Sequence, residues 1–136
     1  MSKAIPHIEK YMTPGPHSIG LEQPLVQAHK LMREHHIRHL PVLHGGKLVG
    51  VITDRDLHII ETLRDVAPDK VTVEEAMTPT VYTVSPHAPL DEVVREMAQH
   101  KYGCAMVEDN GKVVGVFTTV DAMRAFAELL ETRLTH

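Results

Sequence analysis

The chain has 136 residues, 43% of them hydrophobic and 24% charged, with a formal net charge of −4. That length supports one ordinary domain or two small halves sharing a core, and the composition is that of a soluble globular protein. The charge excludes a global footprint for DNA or RNA, and the absence of tryptophan argues against a stacking platform for single strands.

The single cysteine, Cys104, excludes an intrachain disulfide and a cysteine zinc site, and it reads as a small buried hydrophobe. No apolar run has the length of a membrane span, and the leading Met1–Lys10 lacks an apolar signal core, so a cytoplasmic protein without membrane association is expected.

In chain order, a short apolar stretch, Ile8-Glu9-Lys10-Tyr11, leads into Met12-Thr13-Pro14. The proline turns the chain by pushing the preceding threonine out of helical geometry. An extended piece, His17-Ser18-Ile19, is followed by a helix with Pro24 in its first turn and Leu25, Ala28 and Met32 at helical spacing. Two strands, Leu40–Leu43 and Lys47–Ile52, are joined by His44-Gly45-Gly46, a hairpin signal, and a helix starts after Thr53. It breaks near Ala67-Pro68-Asp69.

The same order then repeats. Val73-Glu74-Glu75-Ala76 leads into Met77-Thr78-Pro79, followed by Val81–Val84 and by a helix opening at Pro89 with Leu90, Val93, Val94 and Met97 on one face. Strands Ala105–Glu108 and Lys112–Phe117 are joined by Asp109-Asn110-Gly111. The closing helix runs from Thr118 to about Thr132, with Ala122, Phe126, Leu129 and Leu130 on one side. Residues 9–56 match residues 74–121 at a constant offset of 65, with sixteen identities and no gap. The chain is therefore a β-α-β-β-α unit used twice, an α+β arrangement of α/β-type layers packed with pseudo-twofold symmetry. The expected divisions are residues 5–66, a linker at 67–72, and residues 73–134. Two copies that cannot each build a comfortable core imply a closed pair, with function in the cleft between them.

The chemical signal is Gly50-Val51-Ile52-Thr53-Asp54-Arg55-Asp56 and its copy Gly115-Val116-Phe117-Thr118-Thr119-Val120-Asp121. In both, a strand ends at threonine and aspartate follows three residues on. Thr-x-x-Asp is a helix capping box, worth about 1 kcal/mol. The same geometry offers free N–H groups and a hydroxyl to an anion, and a carboxylate to a ribose diol. From the residues alone both readings stand.

The repeat resembles the CBS domain (cystathionine β-synthase domain), and the pair resembles a Bateman module, over roughly residues 5–130. The resemblance rests on Met-Thr-Pro at the head of each copy, on His39-Leu40-Pro41-Val42, and on Gly-Val-x-Thr-x-x-Asp at the end of both. The second copy departs from it with Met106 in place of Pro41. The resemblance implies an adenosyl ligand (AMP, ADP, ATP or S-adenosylmethionine), with magnesium as an optional companion of ATP and no required cofactor. It places Asp56 and Asp121 on ribose hydroxyls and Thr53 and Thr118 on ribose or phosphate. The base would lie against Gly15, His17, Ile37 and Arg38 from copy one, and Thr80, Tyr82, Tyr102 and Gly103 from copy two. It further implies a disc-like homodimer, for which Phe126, Leu129 and Leu130 offer an apolar face, and a downstream protein that the sequence does not name.

The two motifs differ in charge. Copy one carries Arg38, His39 and Arg55 where copy two has Gly103, Cys104 and Val120. Arginine is a forked, permanently charged phosphate donor, so copy one is expected to favour phosphate and copy two a less charged ligand or none. Of eleven histidines, His7, His29, His44, His58, His87, His100 and His136 read as single residues on polar faces. The cluster His35-His36-x-x-His39 lacks a completing ligand at fixed spacing, so no metal site is expected; a pH-dependent phosphate contact through His39 is the better reading. No nucleophile–base pair or phosphate-binding glycine loop supports an enzyme. The competing class is a structural dimerisation or interaction module with vestigial nucleotide sites, since the capping box explains Thr-x-x-Asp without a ligand.

Overall fold

The computed structural model describes residues 4–134, so His136 lies outside the described residues. The chain divides into two compact units. One is residues 16–81; the other joins residues 4–15 to residues 82–134. The chain thus divides after Gly15 and after Val81, so each unit takes the leading Met-Thr-Pro segment of one copy and the body of the other.

Unit 16–81 contains β2 (Ile19–Gly20), α1 (Leu25–His35), β3 (His39–His44), β4 (Lys47–Thr53), α2 (Asp54–Glu61) and the short α3 (Val73–Ala76). Its sheet order is β2-β3-β4, with β2 parallel to β3 and β3 antiparallel to β4. The other unit contains a 3-10 turn at Ile8–Lys10, β1 (Thr13–Pro14), β5 (Thr83–Val84), α4 (Leu90–His100), β6 (Cys104–Asp109), β7 (Lys112–Thr118) and α5 (Thr119–Arg133). Its sheet order is β1-β7-β6-β5. The β-α-β-β-α order read from the sequence is present in both units, and the two short turns of helix and β1 are additions to it.

Local chemistry explains the elements. The hairpin between β3 and β4 turns on Gly45 and Gly46, with φ of 59° and 80°; that between β6 and β7 turns on Asn110 and Gly111, with φ of 52° and 78°. Two successive positive φ values are the type I′ turn, whose twist matches paired strands. Helices α1 and α4 both begin after a proline N-cap and both end in a left-handed residue, His36 (φ 54°) and Lys101 (φ 59°). Past each cap, Ile37 and Tyr102 donate backbone N–H bonds to the carbonyls of Met32 and Met97, at 3.1 and 2.9 Å, closing the helix ends. Helix α1 stops at His35, so His35, His36 and His39 share no helical face.

Each unit buries its own core. In unit 16–81 the buried cluster includes Leu25, Ala28, Met32, Leu40, Val42, Ile52, Leu57 and Val73. In the other it includes Ile8, Leu90, Val93, Met97, Ala105, Val107, Phe117 and Ala125. Sequence-equivalent positions trade volume: Leu40 and Ile52 with Ala28 become Ala105 and Phe117 with Val93. Small and large side chains are exchanged at constant apolar character, as dense packing requires.

Met106 fits without disturbing the ladder. Its strand has the same length as β3, and its backbone N–H donates to the Tyr82 carbonyl at 2.9 Å. Pro41 at the matching place has no N–H to donate, so β6 makes a pairing to the β5 side that β3 cannot make.

The conserved spelling of the repeat has a steric cause. A side chain added at Gly50 would lie 2.6 Å from the Met77 sulfur and 2.9 Å from the Thr78 carbonyl oxygen; at Gly115 it would collide with Met12. Beside those glycines, Thr78 exchanges backbone bonds with Val51 at 2.9 and 3.0 Å, and Thr13 and Pro14 pair with Val116 and Gly115. Met-Thr-Pro and Gly-Val are therefore two sides of one contact, formed once in each unit.

Candidate functional site

Both strand-to-helix turns form capping boxes. Thr53 is the N-cap of α2. Its N–H donates to Asp56 Oδ2 at 2.9 Å, its hydroxyl donates to the same oxygen at 2.9 Å, and its Oγ1 accepts from the Asp56 N–H at 3.2 Å. Thr118 and Asp121 repeat this at 2.9, 3.1 and 3.2 Å. The turns are tied to the residues just ahead of β3 and β6: the Asp54 N–H donates to the Arg38 carbonyl at 3.0 Å and the Thr119 N–H to the Gly103 carbonyl at 3.1 Å. His39 pairs with Thr53, and Cys104 with Thr118, across the antiparallel ladders.

The two aspartates nevertheless sit in different environments. Asp121 is 4% exposed. Its carboxylate accepts the Thr13 hydroxyl at 3.2 Å on Oδ1 and 3.4 Å on Oδ2, and the Arg124 guanidinium at 3.4 Å on Oδ1. Both of its oxygens are engaged. Asp56 is half-buried and uses Oδ2 alone; its Oδ1 has no hydrogen-bond partner among the described residues. A free acceptor one turn into a helix, beside a threonine hydroxyl, is the arrangement that can take a vicinal diol.

The residues singled out in the sequence divide between the units as follows. Unit 16–81 holds His17, Ile37, Arg38, His39, Thr53, Arg55, Asp56 and Thr80; the other holds Gly15, Tyr82, Tyr102, Gly103, Cys104, Thr118 and Asp121. Gly15, grouped with copy one in the sequence, thus shares a unit with the copy-two motif, and Thr80 shares one with the copy-one motif. The His17 ring stacks on His35 with centroids 3.6 Å apart, and the Tyr82 ring lies 5.2 Å from that of Tyr102. Burial and the charges of Glu96, Glu92 and Tyr102 raise the Tyr82 phenol pKa. Burial pushes the Cys104 thiol up to about 11, so it stays protonated at neutral pH, consistent with a packing role.

Arg38 and Arg55 are exposed. Arg38 Nε lies 4.0 Å from Asp54 Oδ2, and both arginines line an open pocket of about 790 Å³ beside α1 and α2, together with Arg33, His36 and His58. Thr53 and Asp56 do not line it. The cationic groups and the Asp56 carboxylate therefore do not share one pocket.

The structure corrects the picture of single histidines. His29 Nδ1 meets Glu61 Oε1 at 2.5 Å and its Nε2 accepts from Arg33 at 2.7 Å. His100 meets Glu96 at 2.9 Å, and His7, Glu9 and His87 come together. These partners lie far apart in sequence or turn on side-chain direction, so spacing alone does not reveal them. Thr13 was legible only as part of Met-Thr-Pro. Its bond to Asp121 spans 108 residues.

A duplicated α+β unit with a capped aspartate at each strand-to-helix turn defines a tandem-repeat protein. The CBS domain model matches residues 8–59 and 73–128, and the chain belongs to that family as a CBS domain pair. It is 36% identical over 104 residues to L-aspartate semialdehyde sulfurtransferase of Methanocaldococcus jannaschii, covering 75% of this chain and 19% of that protein. Against two further curated relatives, 31% and 32% identical, it spans 27% and 45% of their length. The chain thus corresponds to less than half of these relatives.

Among solved structures, the CBS domain pair of protein MJ0100 in complex with 5′-methylthioadenosine and S-adenosyl-L-methionine superposes with a TM-score of 0.83 at 30% identity, covering 92% of this chain and 98% of that one. CBSX2 in complex with AMP superposes with a TM-score of 0.78 at 25% identity, covering 91% and 98%. Among the described residues no helix is long and apolar enough to cross a membrane.

Proposed function

We propose that this chain is a regulatory module that binds an adenosine-containing ligand, AMP, ADP, ATP or S-adenosylmethionine, at the Thr53–Asp56 turn. The observation that carries the reading is Asp56 Oδ1, unpartnered among the described residues, beside a capped threonine, in a family whose solved members include complexes with AMP and with S-adenosylmethionine. The ribose diol would bond to Asp56, and Thr53 would contact ribose or phosphate. His17, Ile37 and Thr80, in the same unit, are the proposed surroundings of the base. His39, paired with Thr53 at the head of β3, would add a phosphate contact that is strongest when the imidazole is protonated.

The Thr118–Asp121 turn, with Gly15, Tyr82, Tyr102, Gly103 and Cys104 in its unit, is proposed to bind a less charged ligand weakly or none. A diol there would have to displace Thr13 and Arg124 from a carboxylate that is 4% exposed. The vestigial reading has its strongest support at this second motif. Arg38 and Arg55 can swing over the first turn from the neighbouring pocket, and their charge would favour the phosphorylated ligands. Magnesium would accompany ATP only.

The signal would pass through a homodimer to a downstream protein. A ligand acts on such an assembly only to the extent that it binds one arrangement better than another. The face proposed for the second copy is the apolar groove between α4 and α5, where Phe126 is 58% and Leu130 41% exposed and Leu129 is half-buried. Calorimetric titration with AMP, ATP and S-adenosylmethionine tests the reading. Arg55→Ala is expected to weaken ATP about tenfold more than AMP, the equivalent of about 1.4 kcal/mol. An unchanged preference would remove the arginine from the site.

A further inference from the structure

The leading segment of the chain is pinned to the loop before α4. Ile8 N–H donates to the Ala88 carbonyl at 2.8 Å, Glu9 N–H to Pro86 at 3.1 Å and Leu90 N–H to Pro6 at 2.9 Å; His7 and Pro89 face one another as an antiparallel bridge. The His87 N–H is itself held by Ser85 Oγ at 3.1 Å. This fixed backbone brings three side chains together that the sequence separates by nearly eighty residues. His87 Nδ1 lies 3.6 Å from Glu9 Oε1, the His7 and His87 rings meet edge to face with centroids 5.5 Å apart, and one ligating atom from each residue lies within 4.8 Å of the others.

We propose that His7, Glu9 and His87 form a surface binding site for a divalent transition metal of the zinc class, separate from the nucleotide site and independent of it. Two imidazoles and one carboxylate are a borderline N,N,O set, suited to zinc, nickel or copper and poorly suited to magnesium or calcium, which take oxygen ligands. Metal–ligand bonds of about 2.0–2.2 Å put neighbouring ligand atoms about 3.3 Å apart in a tetrahedral site. The triad must close by roughly 1–1.5 Å, a movement that exposed side chains make by rotation while the pinned backbone stays in place.

Glu9 is free for this role. Its only ion-pair partner among the described residues is His87, and the neighbouring Lys10 ammonium is turned over the Tyr11 ring at 5.5 Å. Water would complete the coordination. The bound ion would clip residues 7–9 to residue 87, which the exposed His–Glu pair alone does too weakly to matter. Cys104 does not compete as a ligand, because it is buried and its thiol is held protonated. No other group of three potential ligands converges among the described residues.

The test uses the full chain, stripped with chelator and titrated with zinc chloride by calorimetry, with the melting temperature followed in parallel. The expected result is one saturable zinc site per chain, a melting temperature that rises with zinc, and no response to magnesium. His7→Ala and His87→Ala are each expected to weaken zinc by more than about tenfold, the least that loss of even a supporting group costs, and to remove the thermal shift. Glu9→Gln should weaken it as well. His44→Ala, at an exposed histidine that pairs with Glu22, should change nothing. All three triad residues are exposed, so the variants keep the fold. Absence of saturable zinc binding, or zinc binding equal to wild type in both His7→Ala and His87→Ala, would overturn the proposal.

Discussion

At the scale of single residues, the division of labour between chemistry and packing can be read off pairs that the duplication places side by side. Gly50 and Gly115 are required because methionine fills the space a side chain would take. Gly50→Ala and Gly115→Ala should each lower stability by about 1–3 kcal/mol in denaturant titrations, the usual cost of overpacking. Cys104 should resist alkylation by iodoacetamide in the folded protein and react once unfolded, since burial keeps its thiol protonated to about 11. Because the folded thiol holds its proton to higher pH than the unfolded one, this group's contribution is complete at neutral pH. It is lost as pH rises from the ordinary thiol value of 9.0 to about 11, which chemical denaturation across that range would show.

At the scale of elements, the sequence was legible wherever the signal is local. The hairpins follow from Gly45-Gly46 and Asn110-Gly111, the helix starts from Pro24 and Pro89, and the capping boxes from Thr-x-x-Asp. The grouping of the leading segments was not legible. Met12 and Met77 carry the same local sequence whichever sheet edge they join, and only tertiary packing selects the glycine that each covers. The difference between Asp56 and Asp121 was hidden for the same reason. The motifs are alike, but Thr13 reaches Asp121, whereas among the described residues the matching Thr78 makes only its backbone pairing with Val51. The left-handed helix ends offer a test of local strain. Lys101 holds φ 59° with a side chain attached, so Lys101→Gly should raise stability by about 0.5–1 kcal/mol in thermal or chemical melts.

At the scale of the whole molecule, the helices of the two units present different outer faces. Around α1 and α2 the surface carries the Glu61–His29–Arg33 chain of hydrogen bonds beside exposed Val26 and Ile59; around α4 and α5 Val94 and Phe126, at the places of His29 and Glu61, line an apolar groove. The apolar groove has a volume of about 650 Å³. If a second copy covers it, light scattering of the wild-type chain will give a dimer and Phe126→Glu will give a folded monomer. A Phe126→Glu protein that remains dimeric would place the interface elsewhere.

Of two nearly identical turns, the one at Thr53–Asp56 is proposed to carry the ligand. Asp56→Asn and Asp121→Asn, each titrated calorimetrically with AMP, ATP and S-adenosylmethionine and checked for folding by circular dichroism, test it most directly. Wild type is expected to bind at least one of these ligands saturably, and Asp56→Asn to weaken that binding by at least about a hundredfold, or roughly 2.7 kcal/mol, while still folding. Asp121→Asn is expected to lose stability, because the substitution weakens a buried and doubly bonded carboxylate, yet to keep most of its affinity. Equal loss in both variants, loss in Asp121→Asn alone, or no binding by the folded wild-type protein would contradict it.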